Sequence, residues 1–143
     1  MSESSAVPAG IAPTDGIMHT RSPLPVEETV ARLTEAIHAA GAKLFTVVDH
    51  SGEARSAGLA LRDTKLIIFG SPVAGTPVMV AAPLAAIDLP VKILVWQDDA
   101  GAVWMSHLDP AWLATRHGLS TEQAARLRAP ARLAAKVGAF THG

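Results

Sequence analysis

Residues 64–83 read TKLIIFGSPVAGTPVMVAAP, and this order of residues predicts a short strand followed by a helix. The run from Leu66 to Phe69 is short, apolar and rich in β-branched and aromatic side chains, which favours a buried strand over a helix. Gly70 ends the run. We therefore expect this strand to be central in the fold.

The residues after Gly70 predict a glycine loop that leads into a helix. Ser71 to Gly75 have the composition of a turn, and Thr76 followed by Pro77 is typical of a helix start. In this interpretation the Thr76 hydroxyl caps the first amides, and Pro77 occupies a position where a missing N–H has no cost. Free N–H groups and the positive end of the helix dipole then meet at one place, which favours an anion.

The composition indicates one globular domain and excludes several classes of partner. The 143 residues are 49% hydrophobic and 17% charged, which fits a single hydrophobic core and excludes disorder over most of the chain. Lysine and arginine total 12 against 13 aspartate and glutamate, so no net positive charge attracts nucleic acid or an anionic membrane. The chain has no cysteine, which excludes disulfides, thiol catalysis and thiolate metal sites.

The N-terminal sequence lacks a basic region followed by an apolar core. In addition, no apolar run approaches the ~18 residues that a membrane-spanning helix needs. We therefore expect a cytoplasmic protein with no membrane partner and no nucleic-acid partner.

Composition and apolar periodicity predict a tail and three elements before the central strand. Met1 to Asp15 are rich in serine, alanine, proline and glycine, which predicts a flexible tail. Residues 16–21 predict a first strand, and residues 43–48 predict a second one. Between them, Val26 to Ala40 predict an amphipathic helix that ends at Gly41.

The second half of the chain predicts a β-hairpin. Residues 91–96 and residues 102–107 are apolar runs joined by a turn that contains two aspartates and a glycine. Trp96 and Trp104 are then expected to lie opposite each other across the hairpin as packing partners, or to lie at an oligomer face, where tryptophan is often enriched. At least part of the sheet must therefore be antiparallel.

Helices are predicted after the hairpin, and they complete the fold class. Asp109 and Pro110 form a cap-and-proline start, and Ser120 and Gln123 have the spacing of a capping box that begins an amphipathic C-terminal segment. We therefore predict an α+β fold, a single compact domain over residues 16–143 with a mainly antiparallel sheet of four to five strands packed on helices.

Four segments of the chain together resemble one protein family. They are the pair Asp49 and His50, LRDTKLIIFGSPVAGTP at 61–77, AAPLAAIDLPVKILVWQD at 81–98 and DPAWLATRHGL at 109–119. From about Met18 to Val137 the chain is similar to the domain of unknown function 302 family. The resemblance implies a compact α+β domain with an antiparallel sheet, a fold likened to the TATA-box-binding-protein type, and commonly a homodimer. It does not imply DNA binding, because a shared fold gives no warrant for function, and the biochemical role of the family is unassigned.

The leading hypothesis for a site combines the glycine loop with the C-terminal end of the neighbouring predicted strand, residues 43–48. The predicted ligand-binding residues are Asp49, His50, Gly70, Ser71, Gly75 and Thr76. A histidine next to a carboxylate can titrate near neutrality, and strand ends and helix N-termini expose polar groups to a ligand. Ser71 is a departure, because the family often has asparagine there, which bears on any ligand contact through this side chain.

A structural interpretation of the same residues stays open. In it the two glycines only make a sharp turn from strand to helix, Thr76 is only a helix cap, and Asp49 caps the turn at Ser51. The loop lacks the Gly-Lys-Ser/Thr ending of a nucleotide-binding P-loop, so nucleoside triphosphate hydrolysis is not expected.

Metal, haem and nucleophile hypotheses have weaker support in the sequence. The candidate metal or haem ligands are His50, His107, His117 and His142, with Met18, Met79 and Met105 as further haem candidates. No histidine pair has helical i, i+4 spacing, and methionine in apolar runs is more often core filler. Candidate nucleophiles are Ser51, Ser56, Ser71 and Ser106, none of which lies in a G-x-S-x-G elbow. Enzyme activity and cofactor therefore stay undetermined.

The sequence favours a homodimeric domain that binds a small anionic ligand at Gly70 to Pro77. The alternative is a homodimeric interaction or structural module in which the same segment is only architectural. A metal- or haem-linked accessory protein ranks below both.

Overall fold

A computed structural model describes residues 6–140, which form a five-stranded antiparallel sheet packed against helices. The strands are β1 (Ile17–Ser22), β2 (Lys43–Asp49), β3 (Thr64–Gly70), β4 (Lys92–Gln97) and β5 (Val103–Leu108). The helices are α1 (Val26–Ala39), α2 (His50–Ser56), α3 (Pro72–Ala81), a 3₁₀ helix (Pro83–Asp88), α4 (Pro110–His117), α5 (Thr121–Ala125) and α6 (Ala129–Gly138). The predicted α+β class is confirmed.

The strand order β1-β5-β4-β3-β2 places the predicted hairpin and the predicted central strand inside the sheet. Trp96 lies directly opposite Trp104 in the β4–β5 hairpin, as predicted. Every neighbouring pair is antiparallel. In the β2–β3 pair, Lys43 faces Gly70 and Asp49 faces Lys65, so the two strands end at opposite edges of the sheet.

The main core lies between one face of the sheet and the helices α1 and α6. Side chains alternate between the faces of a strand, so Ile67 and Phe69 of β3 both point into this core and are fully buried. Leu33 and Ile37 of α1 are four residues apart, on one side of the helix, and pack against them. The amphipathic pattern of α1 therefore joins the helix to the sheet, and Gly41 follows it with the predicted positive φ of 76°.

A second, smaller core lies where α3, the 3₁₀ helix and α4 meet. It consists of Val78, Ala85, Leu113 and Leu127, all of them buried. Asp109 caps α4 by accepting a hydrogen bond from the Ala111 N–H, as its sequence signature predicts. This core fixes α3 beside the end of β3.

The start of α3 differs from the prediction. The helix begins at Pro72, with Ser71 as its N-cap, so Gly75, Thr76 and Pro77 lie inside the helix rather than before it. A Ser-Pro step and a Thr-Pro step have the same sequence signature, and the earlier one starts the helix. The predicted glycine loop is therefore absent, and Gly70 passes almost directly into α3.

Residues 6–15 contain no helix or strand, but part of this segment is held against the β4–β5 turn. The Pro8 side chain is fully buried, and the Ala9 N–H donates a hydrogen bond of 2.9 Å to Asp98 Oδ2. The Asp99 N–H in turn donates to the Ala9 carbonyl oxygen. The rest of the predicted tail, residues 1–5, lies outside the described residues.

Candidate functional site

The six predicted site residues do not lie together. Because β2 and β3 run antiparallel, Asp49 and His50 follow the end of β2 at one edge of the sheet, and Gly70 ends β3 at the other. The seven residues of β2 separate the two places by roughly 20 Å. The prediction that Asp49 and His50 complete the site at Gly70 is therefore wrong, since it placed two strand ends at one edge, as in a parallel pair.

Asp49 has a structural role where it lies. Its Oδ1 accepts hydrogen bonds of 2.9 Å from the Gly52 N–H and from the Ser51 hydroxyl, which caps α2. The Gly52 N–H, followed by the Ser51 hydroxyl, lowers the pKa of the Asp49 carboxyl below its ordinary value. His50 is the exposed first residue of α2. This geometry agrees with the alternative in which Asp49 caps the turn at Ser51.

The other four predicted residues line one cavity, which we call the main cavity. Gly70, Ser71, Gly75 and Thr76 all contribute to its wall, and its volume is about 450 Å³. The cavity lies where β3 passes into α3, between the C-terminal end of α1 and the N-terminal end of α6. The segment that the sequence singled out therefore lies at a cavity, although its backbone is helical.

Most of the main cavity wall is apolar. Phe69 and Met79 contribute from β3 and α3, Leu127 from the segment between α5 and α6, and Phe45 from β2. Phe45 is the residue at a β-bulge between Leu44 and Thr46, where the register of β2 against β3 shifts. Such a bulge re-aims a side chain out of the regular alternation, which explains how Phe45 reaches the cavity.

Arg126 and Arg132 are the charged residues of the main cavity wall, and no carboxylate accompanies them there. Among the described residues, the ion pairs of the protein involve other arginines and one histidine. Two exposed arginines therefore line the cavity without an ion-pair partner within residues 6–140. An arginine always carries its charge near neutral pH, so the cavity favours an anionic group.

The start of α3 contributes little to this preference. Pro72 has no N–H, the N–H groups of Ala74 and Gly75 both bond to the Ser71 carbonyl oxygen, and the Ser71 side chain makes no cap hydrogen bond. The sequence hypothesis of an anion at a helix N-terminus therefore lacks most of the donors that it needs. The arginines supply the positive charge instead.

The histidines that were considered as metal or haem ligands lie in different places. His107 is buried in β5, where burial lowers its pKa, and its Nδ1 lies 3.1 Å from the Leu108 carbonyl oxygen. His117 Nε2 lies 2.5 Å from Asp88 Oδ2. His142 lies outside the described residues. Within residues 6–140 no group of three or more His, Cys, Asp or Glu side chains could hold a metal ion.

One of the candidate nucleophiles lies beside a histidine. Ser106 Oγ is 2.7 Å from His19 Nδ1 and accepts a hydrogen bond of 2.9 Å from Trp96 Nε1. Burial, followed by the charge of His107, lowers the pKa of His19. Ser106 is only 5% exposed, so the pair stabilises the sheet face rather than presenting a hydroxyl to a substrate.

The fold and the cavity together define a compact α+β domain with a chamber of small-molecule size. The family model described as "Domain of unknown function DUF302" matches residues 18–135. The chain therefore belongs to the DUF302 family.

The comparison with a solved structure supports the same fold. The crystal structure of an uncharacterized conserved DUF302 protein from Bacillus stearothermophilus matches with a TM-score of 0.73 and 18% sequence identity. The match covers 87% of this chain and 97% of that one.

The chain matches curated relatives over only part of their length. The chain is 43% identical over 111 residues to "Fluoride-specific ion channel FluC 1" of Brucella suis biovar 1, a match that covers 76% of this chain and 44% of the relative. "Fluoride-specific ion channel FluC 2" of Brucella melitensis biotype 1 has the same identity, with 41% of its length covered. The chain thus spans less than half of these relatives. None of the helices in residues 6–140 of this chain is long and apolar enough to cross a membrane.

Proposed function

We propose that the protein binds a small organic anion with an apolar body in the main cavity. The observation that carries this proposal is a chamber of about 450 Å³ with mostly apolar walls, in which Arg126 and Arg132 are the only charged lining residues among residues 6–140. Small-molecule sites typically have volumes of ~300–1,000 Å³, apolar linings and a few polar groups that fix orientation.

The apolar part of the wall favours an apolar ligand body, and the arginines favour an anionic group on the same ligand. Burial of an apolar body stabilises the complex by about 25 cal/mol for each Å² removed from water. A carboxylate or phosphate oxygen accepts charge-assisted hydrogen bonds from a guanidinium group, and these are stronger than neutral ones. The proposed site therefore keeps Gly70, Ser71, Gly75 and Thr76 in its wall, and it takes its charge from Arg126 and Arg132.

Three probes separate the contributions of charge and apolar body. In calorimetric titrations of the full chain, we expect octanoate to bind, whereas acetate lacks the body and octanol lacks the charge. Both controls should therefore bind at least about tenfold more weakly, because each loses one set of contacts. Equal binding of octanol and octanoate would contradict the role of the arginines.

Two substitutions test whether the ligand binds in the main cavity. A Cβ at Gly75 would lie 3.9 Å from the Met79 side chain, an ordinary contact, so the backbone has room for a side chain here. The methyl groups of Gly75→Val would add bulk to the cavity wall. We expect Gly75→Val and Arg132→Gln each to weaken octanoate binding while the protein stays folded, as checked by thermal unfolding. Unchanged binding in both variants would overturn the proposed function.

A second candidate function is self-association through an exposed apolar surface, in line with the homodimer that the family resemblance implies. Val73 and Val80 of α3 are 81% and 77% exposed, and Leu84 and Ile87 of the 3₁₀ helix are 79% and 74% exposed. Residues 72–87 contain no charged side chain. A surface of this kind is typical of protein interfaces. An uncharged apolar patch suits a second copy of the chain, because the same patch would meet itself across a two-fold axis.

Sedimentation equilibrium tests this second candidate. If the surface joins two copies, Val80→Lys should shift the protein toward monomer, because the interface would have to bury a charge. Leu59→Lys is the matched control, since Leu59 is also exposed, at 67%, and lies outside α3 and the 3₁₀ helix. A monomeric wild-type chain, or equal behaviour of both variants, would remove the candidate.

A further inference from the structure

Arg132 of α6 belongs to two cavities. Besides the main cavity, it lines a second cavity of about 420 Å³ formed by residues of α4, α5 and α6. Arg128 also lines this second cavity and lies one helical turn before Arg132. Residues four apart in a helix lie on one side, with Cβ atoms about 5–6 Å apart. The two cavities therefore share Arg132, and Arg128 lies one helical turn away in the wall of the second cavity.

The second cavity has a net positive charge. Its polar lining consists of these two arginines, the Thr121 side chain and Asp109, and the rest is alanine, leucine and proline. Asp109 Oδ1 accepts a hydrogen bond of 2.9 Å from the Ala111 N–H, so this carboxylate is engaged as the cap of α4. Within residues 6–140, no ion pair joins Arg128 or Arg132 to a carboxylate.

Two arginines one helical turn apart match a phosphate better than they match a carboxylate. A phosphate monoester carries about −1.5 to −2 charges near neutral pH and offers three strong acceptor oxygens. Arginine side chains bind such oxygens in bidentate geometry, and two of them can share one phosphate. A carboxylate has a single charge, which one arginine balances.

On the basis of the proposed function, we propose that the two cavities form one site for a single-chain alkyl phosphate. The alkyl chain occupies the apolar main cavity, and the phosphate lies between Arg128 and Arg132 at the entrance to the second cavity. The ligand class is thus a single-chain amphiphile with a phosphate head.

Calorimetric titration with octyl phosphate, octanoate and inorganic phosphate, each below any micelle-forming concentration, tests this inference. We expect octyl phosphate to bind about tenfold more tightly than octanoate, because the second arginine adds a charge-assisted hydrogen bond. Arg128→Gln should remove about this tenfold advantage and leave octanoate binding within about twofold of the wild type. Inorganic phosphate alone should bind more weakly than octyl phosphate, since it lacks the chain.

Lys136→Gln is the matched control. It removes one positive charge from α6, the helix that Arg128 precedes as its N-cap, but Lys136 lines a different cavity, between α1 and α6. We expect it to change neither titration, and thermal unfolding of each variant checks that the fold is retained.

The possible outcomes test the alkyl phosphate site and the proposed function separately. If octanoate binds, and if Arg128→Gln leaves the affinity for octyl phosphate unchanged, the alkyl phosphate site is overturned. The proposed function is unaffected by that result. Binding of inorganic phosphate as tight as that of octyl phosphate would show a free-phosphate site and also overturn this inference. Failure of both octanoate and octyl phosphate to bind would overturn both proposals.

Discussion

Asp98 joins the N-terminal segment to the β4–β5 hairpin through one carboxylate. Its Oδ2 accepts hydrogen bonds from the Ala9 N–H and from Trp104 Nε1, and its Oδ1 accepts from the N–H groups of Ala100 and Ala102. Burial alone would raise the pKa of this carboxyl, but these hydrogen bonds to the charged form outweigh it and lower the pKa to about 2. The ionised carboxylate thus stabilises the folded chain.

Stability should fall in acid as Asp98 takes up a proton. Its folded pKa of about 2 lies below the ordinary value of 3.8, so the unfolded chain binds more protons between these values. The contribution of Asp98 is therefore complete above pH ~4 and is lost as the pH falls toward about 2. Urea unfolding at a series of pH values measures this slope. In Asp98→Asn the slope should be shallower, and an unchanged slope would assign it to other carboxyl groups.

Ser106 should be important for stability although it is a small polar residue. Ser106→Ala leaves the buried Trp96 Nε1 and the His19 ring nitrogen without their partner, which costs about 1–3 kcal/mol of unfolding free energy. Urea unfolding measures the loss. Ser56→Ala is the control, because Ser56 is exposed at the end of α2 and should change stability by less than about 0.5 kcal/mol. Equal effects of both substitutions would contradict the structural role of Ser106.

For single residues, the sequence identified glycines that line the main cavity but did not identify the arginines that give it a positive charge. Gly70 and Gly75 stand out in the sequence as glycines beside a strand, whereas Arg126 and Arg132 look like ordinary exposed residues of a terminal helix. The spacing of arginines in RLRAPAR, residues 126–132, was the available signal. It identifies no site by itself, because nothing local shows that these arginines line the same cavity as α3.

The start of α3 illustrates how packing decides between equal local signals. Starting the helix at Pro72 rather than at Pro77 directs Val78 into the second core, where it is fully buried. Pro77 is exposed and is tolerated inside the helix, although it cannot donate a hydrogen bond to the Val73 carbonyl oxygen. Sequence signatures alone give both prolines the same weight, so this boundary could not be predicted.

Replacement of Pro77 should stabilise the protein. Pro77→Ala restores the missing donor and raises helix propensity, and the greater freedom of the unfolded chain offsets part of this gain. We expect a net increase of about 1–2 kcal/mol in the free energy of unfolding, measured as a higher urea midpoint. Pro72→Ala is the control, since a first helical residue needs no donor, and it should give no such increase. A lower midpoint for Pro77→Ala would contradict this account of α3.

Strand pairing explains the error over Asp49 and His50. The hairpin turn between β4 and β5 is visible in the sequence and fixes that pair as antiparallel. The connection from β2 to β3 contains α2 and a loop, so the direction of this pair has no local signature. The resemblance to the family predicted an antiparallel sheet. The site hypothesis nevertheless placed the C-terminal ends of β2 and β3 together, as in a parallel pair.

The fold of the whole molecule could be predicted largely from patterns among residues that are close together in the sequence. The turn of the β4–β5 hairpin, the amphipathic face of α1 and the cap at Asp109 each depend on neighbouring residues, and the structure confirms all of them. The main cavity depends instead on residues from distant parts of the chain, such as Phe45, Gly75 and Arg132. A chamber of this kind has no local signature, because its wall is complete only when these distant segments come together in the folded chain.

Met79 allows the most direct test that an organic anion occupies the main cavity. Its side chain lines the chamber, whereas Met18 lies on β1 and Met105 is fully buried in the main core. In protein with ¹³C-labelled methionine methyl groups, titration with octanoate should shift the Met79 methyl resonance in a saturable way and leave the Met18 resonance in place. A Met79 resonance that stays unmoved while calorimetry shows octanoate binding would contradict the proposed site.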